Sequence, residues 1–175
     1  MLTISRASEE RIIEVLEEKP DIQNPENPVK EVKDGSIRFE NVNFSYSGDP
    51  NRLCLKDADL TINAGEVVGI LGGTGASKST LVQLIPRLYD VDKGRVLVGG
   101  KDVRDYPIHA LRNAVSMVLQ QNVLFSGTIR DNLRWGDANA TDEEIIAACQ
   151  AAQAHDFIQS FPDGYDTDLG QGGVN

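Results

Sequence analysis

"GGTGASKST", residues 72–80, decides how this chain is read. Before it runs EVVGILG (66–72), short, apolar and rich in β-branched residues, as a strand buried on both faces should be. After it runs STLVQLIPRLY (79–89), where Leu81, Leu84, Ile85 and Leu88 recur at helical spacing. A strand that runs into glycines and then into a helix is the setting of a phosphate-cradling loop. Its backbone N–H groups curl around the anion, the helix start adds positive potential, and a lysine supplies a mobile point charge.

On that reading Gly72 and Gly75 shape the turn, and Gly73, Thr74 and Ala76 lend backbone to the cradle. Lys78 reaches the β and γ phosphates, and the Ser79 hydroxyl binds Mg²⁺. Thr80, through its side chain or backbone, supports the α phosphate. The strict pattern G-x-x-x-x-G-K-[ST] fails once, because Ser77 stands where a glycine belongs. A positive φ there would cost about 1–2 kcal/mol, so weakened nucleotide binding is expected, not its abolition. An ordinary glycine turn remains the alternative on these residues alone.

The totals narrow the partners. The 175 residues suffice for one domain with a core, or one domain and part of a second. Seventeen basic against 27 acidic residues leave a net charge of -10, which argues against broad attraction to nucleic acid or anionic lipid. A phosphate site must therefore be local. Cys54 and Cys149 lack metal spacing and are expected as reduced thiols, while His109 and His155 stand isolated in surface or capping roles. No run approaches the roughly 18 apolar residues of a membrane helix, so the chain is expected to be soluble.

Outward from the loop, residues 4–18 carry Ile12, Val15 and Leu16 as a narrow helical stripe that Pro20 stops. From Pro20 to Gly35 the text is polar and proline-bearing, a linker or extended arm. SIRFENVNFSY (36–46) alternates imperfectly, giving strands broken around Glu40 and Asn41, and LCLKDADLTI (53–62) and RVLVGG (95–100) are further strands. Pro107 opens a short helix, and VSMVLQ (115–120) reads as another buried strand. Thr141 and Glu144 form a capping box for a helix with Ile145, Cys149 and Ala152 on one face, and a short helix follows over 155–160.

The ordered set resembles the nucleotide-binding domain of an ATP-binding cassette (ABC) transporter of the exporter type, from about Ser36 onward. FENVNFSY is similar to the family's adenine-stacking segment and EVVGILGGTGASKSTL to its Walker A segment. MVLQQNVLFSGTIRDNL resembles its Q-loop with the start of the helical subdomain, and DGYDTDLGQGGVN the stretch just before its signature motif. RASEERIIEVLEEKPDI resembles the segment where a last transmembrane helix enters the cytoplasm, although a helix packed on its own domain fits the residues equally.

The resemblance implies an α/β fold: a P-loop NTPase core, with an incomplete parallel sheet flanked by helices, an antiparallel β subdomain and part of the helical subdomain. It divides the chain into a helix over 1–20, a linker over 21–35, the core over 36–120 and the start of the helical subdomain over 121–175. It implies ATP and Mg²⁺ as ligands, with Tyr46 stacking on adenine. Gln120 becomes an Mg²⁺ ligand and γ-phosphate sensor, with Gln121 as the second choice for that role; Lys78 and Gln120 then carry the chemistry.

The implied partners are a transmembrane domain and a second nucleotide-binding domain, at the cytoplasmic face of the plasma membrane, with no nucleic acid. The signature, the Walker B aspartate, the catalytic glutamate and the switch histidine are not found in the sequence. The chain is therefore expected to stop short of unaided ATP turnover, and its apolar strand edges to invite self-association or loosen the core. Two other readings compete: a different P-loop kinase or GTPase, and an interaction module that has lost nucleotide through Ser77.

Overall fold

A computed structural model describes residues 2–173. The chain folds as two compact units, residues 1–116 and 117–175.

The first unit is built on an antiparallel sheet. β1 (Ile37–Phe44), β2 (Leu55–Ile62), β3 (Lys93–Val98) and β4 (Lys101–Asp102) lie in the order β2-β1-β3-β4. The break expected near Glu40 and Asn41 is a bulge within one strand. Asn41 takes φ 47°, and the register to β3 shifts between Glu40 and Asn43. Opposite it sits Gly94 at φ 81°, where an added Cβ would clash with the carbonyl oxygens of Glu40 and Asn41. Only glycine fits there.

Alternation places Phe39, Val42 and Phe44 of β1, with Val96 and Val98 of β3, in the core. Helix α2 (Lys78–Leu84) adds Leu84 and Ile85 to the same cluster. Helix α3 (Ile108–Ala114), begun at Pro107, adds Leu111, and Tyr106 lies fully buried with its hydroxyl donating to the Val98 carbonyl at 2.8 Å. Pro86 ends the α2 pattern early, which leaves Leu88 exposed rather than on the core face.

Helix α1 (Leu2–Glu17) forms as its spacing predicts. Its stripe is uncovered, with Val15 and Leu16 each more than 70% exposed. The arm behind it is no free linker. Val29 N donates to the Asp105 carbonyl (2.8 Å), Asn24 Oδ1 accepts from Ile108 N (2.8 Å), and Arg87 Nη1 donates to the Gln23 carbonyl (3.1 Å). Val29 and Val32 pack on the core cluster.

Two expected strands are corrected. Residues 66–71 and 115–120 carry no ladder pairing, and both sheets among the described residues are antiparallel. Far from being buried on both faces, Val67 is 98% and Leu71 96% exposed. The cause is physical: an apolar β-branched run becomes a strand only when a neighbouring segment pairs with it, and none of the described residues forms a ladder with these runs.

The second unit holds β5 (Gly127–Thr128) paired antiparallel with β6 (Asp168–Leu169), and the helices α4 (Ile129–Leu133), α5 (Asp142–Ala151) and α6 (His155–Gln159). The Thr141 capping box is complete: Glu144 N donates to Thr141 Oγ1 (3.3 Å) and Thr141 N to Glu144 Oε2 (2.8 Å). Ile145 and Cys149 face a core shared with Ile158 and Tyr165. Ala152, expected on that face, is exposed because the helix has reached its C-cap there. Thr128 and Asp131 make a second capping box at α4 that the sequence reading overlooked. Both cysteines are free thiols. His155 Nδ1 lies 2.9 Å from the Tyr165 hydroxyl, and burial, followed by the Cys149 neighbour, pushes that hydroxyl's pKa up to about 12.

Candidate nucleotide site

The glycine-rich loop leads directly into α2, with Ser77 at the N-cap and Lys78 as the first helical residue. Gly75 turns the chain at φ 82°, and Ala76 N closes back on the Gly73 carbonyl at 3.2 Å. Gly72 passes so near Ala76 that a Cβ on it would lie 3.1 Å from the Ala76 Cβ. The close approach is at Gly72 alone, since a Cβ at Gly73 or Gly75 would meet nothing within 4 Å; Gly75 is called for by its positive φ.

Ser77 occupies the left-handed region, at φ 56° and ψ 24°, and its hydroxyl caps nothing. A glycine would sit there without strain; serine bears a penalty of about 1–2 kcal/mol. The positive φ that the sequence raised as a condition is therefore met. Its backbone still serves the helix, since Leu81 N donates to the Ser77 carbonyl at 3.0 Å. The amides of Lys78, Ser79 and Thr80 precede Leu81 N, the first donor bonded within the helix, so α2 itself supplies them no acceptor.

Lys78 Nζ donates to the carbonyls of Gly72 and Gly73, at 2.8 Å each. Among the described residues no carboxylate pairs with it. The ammonium is held at the loop by neutral acceptors only, and an anion entering the loop would gain from an uncompensated charge. Ser79 is exposed and Thr80 buried. An Mg²⁺ ion suits this donor set as a hard cation taking hydroxyl oxygen and phosphate oxygens, with the exposed Ser79 hydroxyl as the available side chain. Among the described residues no cluster of three His, Cys, Asp or Glu side chains could hold a metal by itself.

Tyr46, two residues past the end of β1, is brought to α2. Its hydroxyl lies 3.0 Å from Thr80 Oγ1 and donates to Gln83 Oε1 at 3.2 Å. Its ring stands edge-on to Phe44 (4.9 Å, 79°) and Tyr89 (5.1 Å, 87°), yet 54% of the residue stays exposed. The structure thus joins Tyr46, the loop and Thr80 in one unit; Gln120 and Gln121 belong to the second unit and are both exposed. Sequence reasoning missed Gln83 and Tyr89. The only signal was the i,i+3 spacing of Thr80 and Gln83, which puts both on one face of α2.

A cavity of about 370 Å³ adjoins the ring, with Asp21, Ile22, Phe44, Tyr46, Tyr89 and Asp90 among its lining residues. Asp90 is already engaged, receiving Arg87 Nε at 2.7 Å and Nη2 at 2.9 Å.

Comparison with known proteins agrees with this geometry. A family profile described as "ABC transporter" matches residues 55–173. A Bacillus subtilis (strain 168) protein whose name describes a multidrug export ATP-binding/permease protein is 48% identical over 175 residues, 99% of this chain and 30% of its own. A Staphylococcus aureus (strain NCTC 8325) protein of like name is 43% identical over 165 residues, 93% of this chain and 28% of its own. A solved bacterial Atm1-family ABC exporter with ATP bound superimposes with a TM-score of 0.85 at 36% identity, covering 98% of this chain and 29% of that one. The chain thus spans under a third of the length of these relatives.

Proposed function

Because the chain belongs to the ABC transporter family, we propose that residues 72–80 bind the triphosphate of ATP within the ATP-binding part of an exporter. The observation that carries the reading is Lys78, whose ammonium rests on the Gly72 and Gly73 carbonyls with no carboxylate partner among the described residues. On binding, it turns from two neutral acceptors to the β and γ phosphates, a stronger charge-assisted contact. Gly73, Thr74, Gly75 and Ala76 offer the backbone of the cradle, and the amides at the start of α2 face the α and β phosphates.

Ser79 would hold Mg²⁺ through its hydroxyl, and Gln120 would be a second, uncharged oxygen ligand that reports the γ phosphate. When bound, Mg²⁺ neutralises phosphate charge. Tyr46 offers its ring to adenine, supported by the half-exposed position it keeps while its hydroxyl is tethered.

In the whole protein, ATP binding and hydrolysis couple to export through a transmembrane domain, with a second nucleotide-binding domain as partner, at the cytoplasmic face of the plasma membrane. The names of the relatives support that assignment, and α1 is the segment that would continue from the membrane domain. Among the described residues no helix is long and apolar enough to cross a membrane.

A titration of the chain with a fluorescent ATP analogue tests the reading, beside Lys78→Ala and Ser77→Gly. Saturable binding that Lys78→Ala weakens supports it. Binding absent in the parent and restored by Ser77→Gly would favour an interaction module disarmed by the left-handed serine. Preference for GTP or a nucleoside monophosphate would favour another P-loop enzyme.

A further inference from the structure

Tyr46 is half exposed, yet four groups fix it. An exposed tyrosine with no partners samples several rotamers, and a base that stacks on it must first select one. Here the Tyr46 hydroxyl donates to Gln83 Oε1, so the 3.0 Å contact with Thr80 Oγ1 has the Thr80 hydroxyl as donor. Thr80 and Gln83 lie three residues apart on α2, and both reach the same oxygen. Phe44 and Tyr89 meet the ring edge-on, which fixes its rotation while leaving area exposed. One consequence reaches the loop: with its proton committed to Tyr46, Thr80 has only its backbone N–H to give to a phosphate.

We propose that Gln83 is a positioning residue that pins the Tyr46 hydroxyl to α2 and so presets the ring as a platform for a purine base. The inference rests on the nucleotide reading above. The helix that starts at the phosphate loop thereby also sets the base platform, through a side chain that touches neither base nor phosphate. Base affinity is governed from the second turn of α2, and phosphate affinity from its first.

The test compares MgATP with magnesium tripolyphosphate, which has the phosphates and no base, by calorimetry on the 175-residue chain. Gln83→Met keeps length and helix propensity but removes the acceptor. It is expected to weaken MgATP about 3- to 10-fold, the effect of one lost hydrogen bond, and to change tripolyphosphate affinity less than about twofold on the same reasoning. Tyr46→Phe, which keeps the ring and removes the hydroxyl, should weaken MgATP similarly. Adding Gln83→Met to it should then cost nothing more, because the two changes break one contact.

Equal loss for both ligands would show that Gln83 merely supports α2, and overturn the proposal. So would full MgATP affinity in Gln83→Met, or additive losses in the double variant; either leaves the nucleotide reading intact. A parent chain that binds neither ligand overturns the nucleotide reading and this inference together.

Discussion

Ser77 stands at the N-cap of α2 in the left-handed region, where only glycine is free of strain. Its departure from the glycine-lysine pattern is plain in the text, but its cost depends on φ, which is 56°. Replacing it by glycine removes a left-handed penalty of about 1–2 kcal/mol. It also returns roughly 0.5–1 kcal/mol of freedom to the unfolded chain. Ser77→Gly is therefore expected to raise stability by about 0–1.5 kcal/mol, read as a shift in the urea midpoint. MgATP affinity should rise several-fold in the same variant; unchanged values of both would show that the serine is not strained. The Tyr46 tether was hidden for a different reason. Its partners lie 34 and 37 residues away in sequence, and nothing in a single sequence says that the end of β1 meets the second turn of α2.

At the scale of elements, local chemistry was readable and pairing was not. Thr141 and Glu144 announce α5 by their spacing, and both bonds of the box are present. Thr141→Ala is expected to destabilise the second unit by about 0.5–2 kcal/mol in thermal unfolding; no change would mean that the cap adds nothing to what packing supplies. Asp131 gives a pH dependence with a definite sign. Hydrogen bonds from the Thr128 side chain and backbone hold its carboxyl below the usual range, and the Arg130 guanidinium does the same for Asp166.

A depressed carboxylate contributes stability above its unfolded pKa of about 4 and loses it as pH falls through the lower folded value. Unfolding temperature should therefore fall over the interval below about pH 4, and Asp131→Asn should flatten part of that fall. A wild-type profile flat across this interval contradicts the assignment. The strands expected at 66–71 and 115–120 mark the limit of pattern reading. Their composition is right, but a ladder belongs to two segments at once.

For the molecule as a whole, exposed apolar surface competes with charge. Val67 and Leu71, with the exposed Val68 and Ile70 between them, leave the approach to the nucleotide loop apolar and open to water. A net charge of -10 opposes association at low salt, and screening weakens that opposition. Sedimentation at rising ionic strength should show growing self-association, and Val67→Lys with Leu71→Lys should suppress it. A monomer at all salt concentrations contradicts this expectation. The order of the motifs carried the fold class from the text alone, because each segment occupies its own stretch of chain and none depends on a distant contact.

The proposed function stands on a grip of amides and one ammonium at 72–80 on a triphosphate. Isothermal calorimetry with MgATP, on the parent chain and on Lys78→Ala, tests it most directly. Saturable heat at one site per chain is expected in the parent, and an affinity about 10- to 100-fold lower without the ammonium, the loss of a charge-assisted hydrogen bond. No heat in the parent, or equal affinity in the two chains, would contradict it.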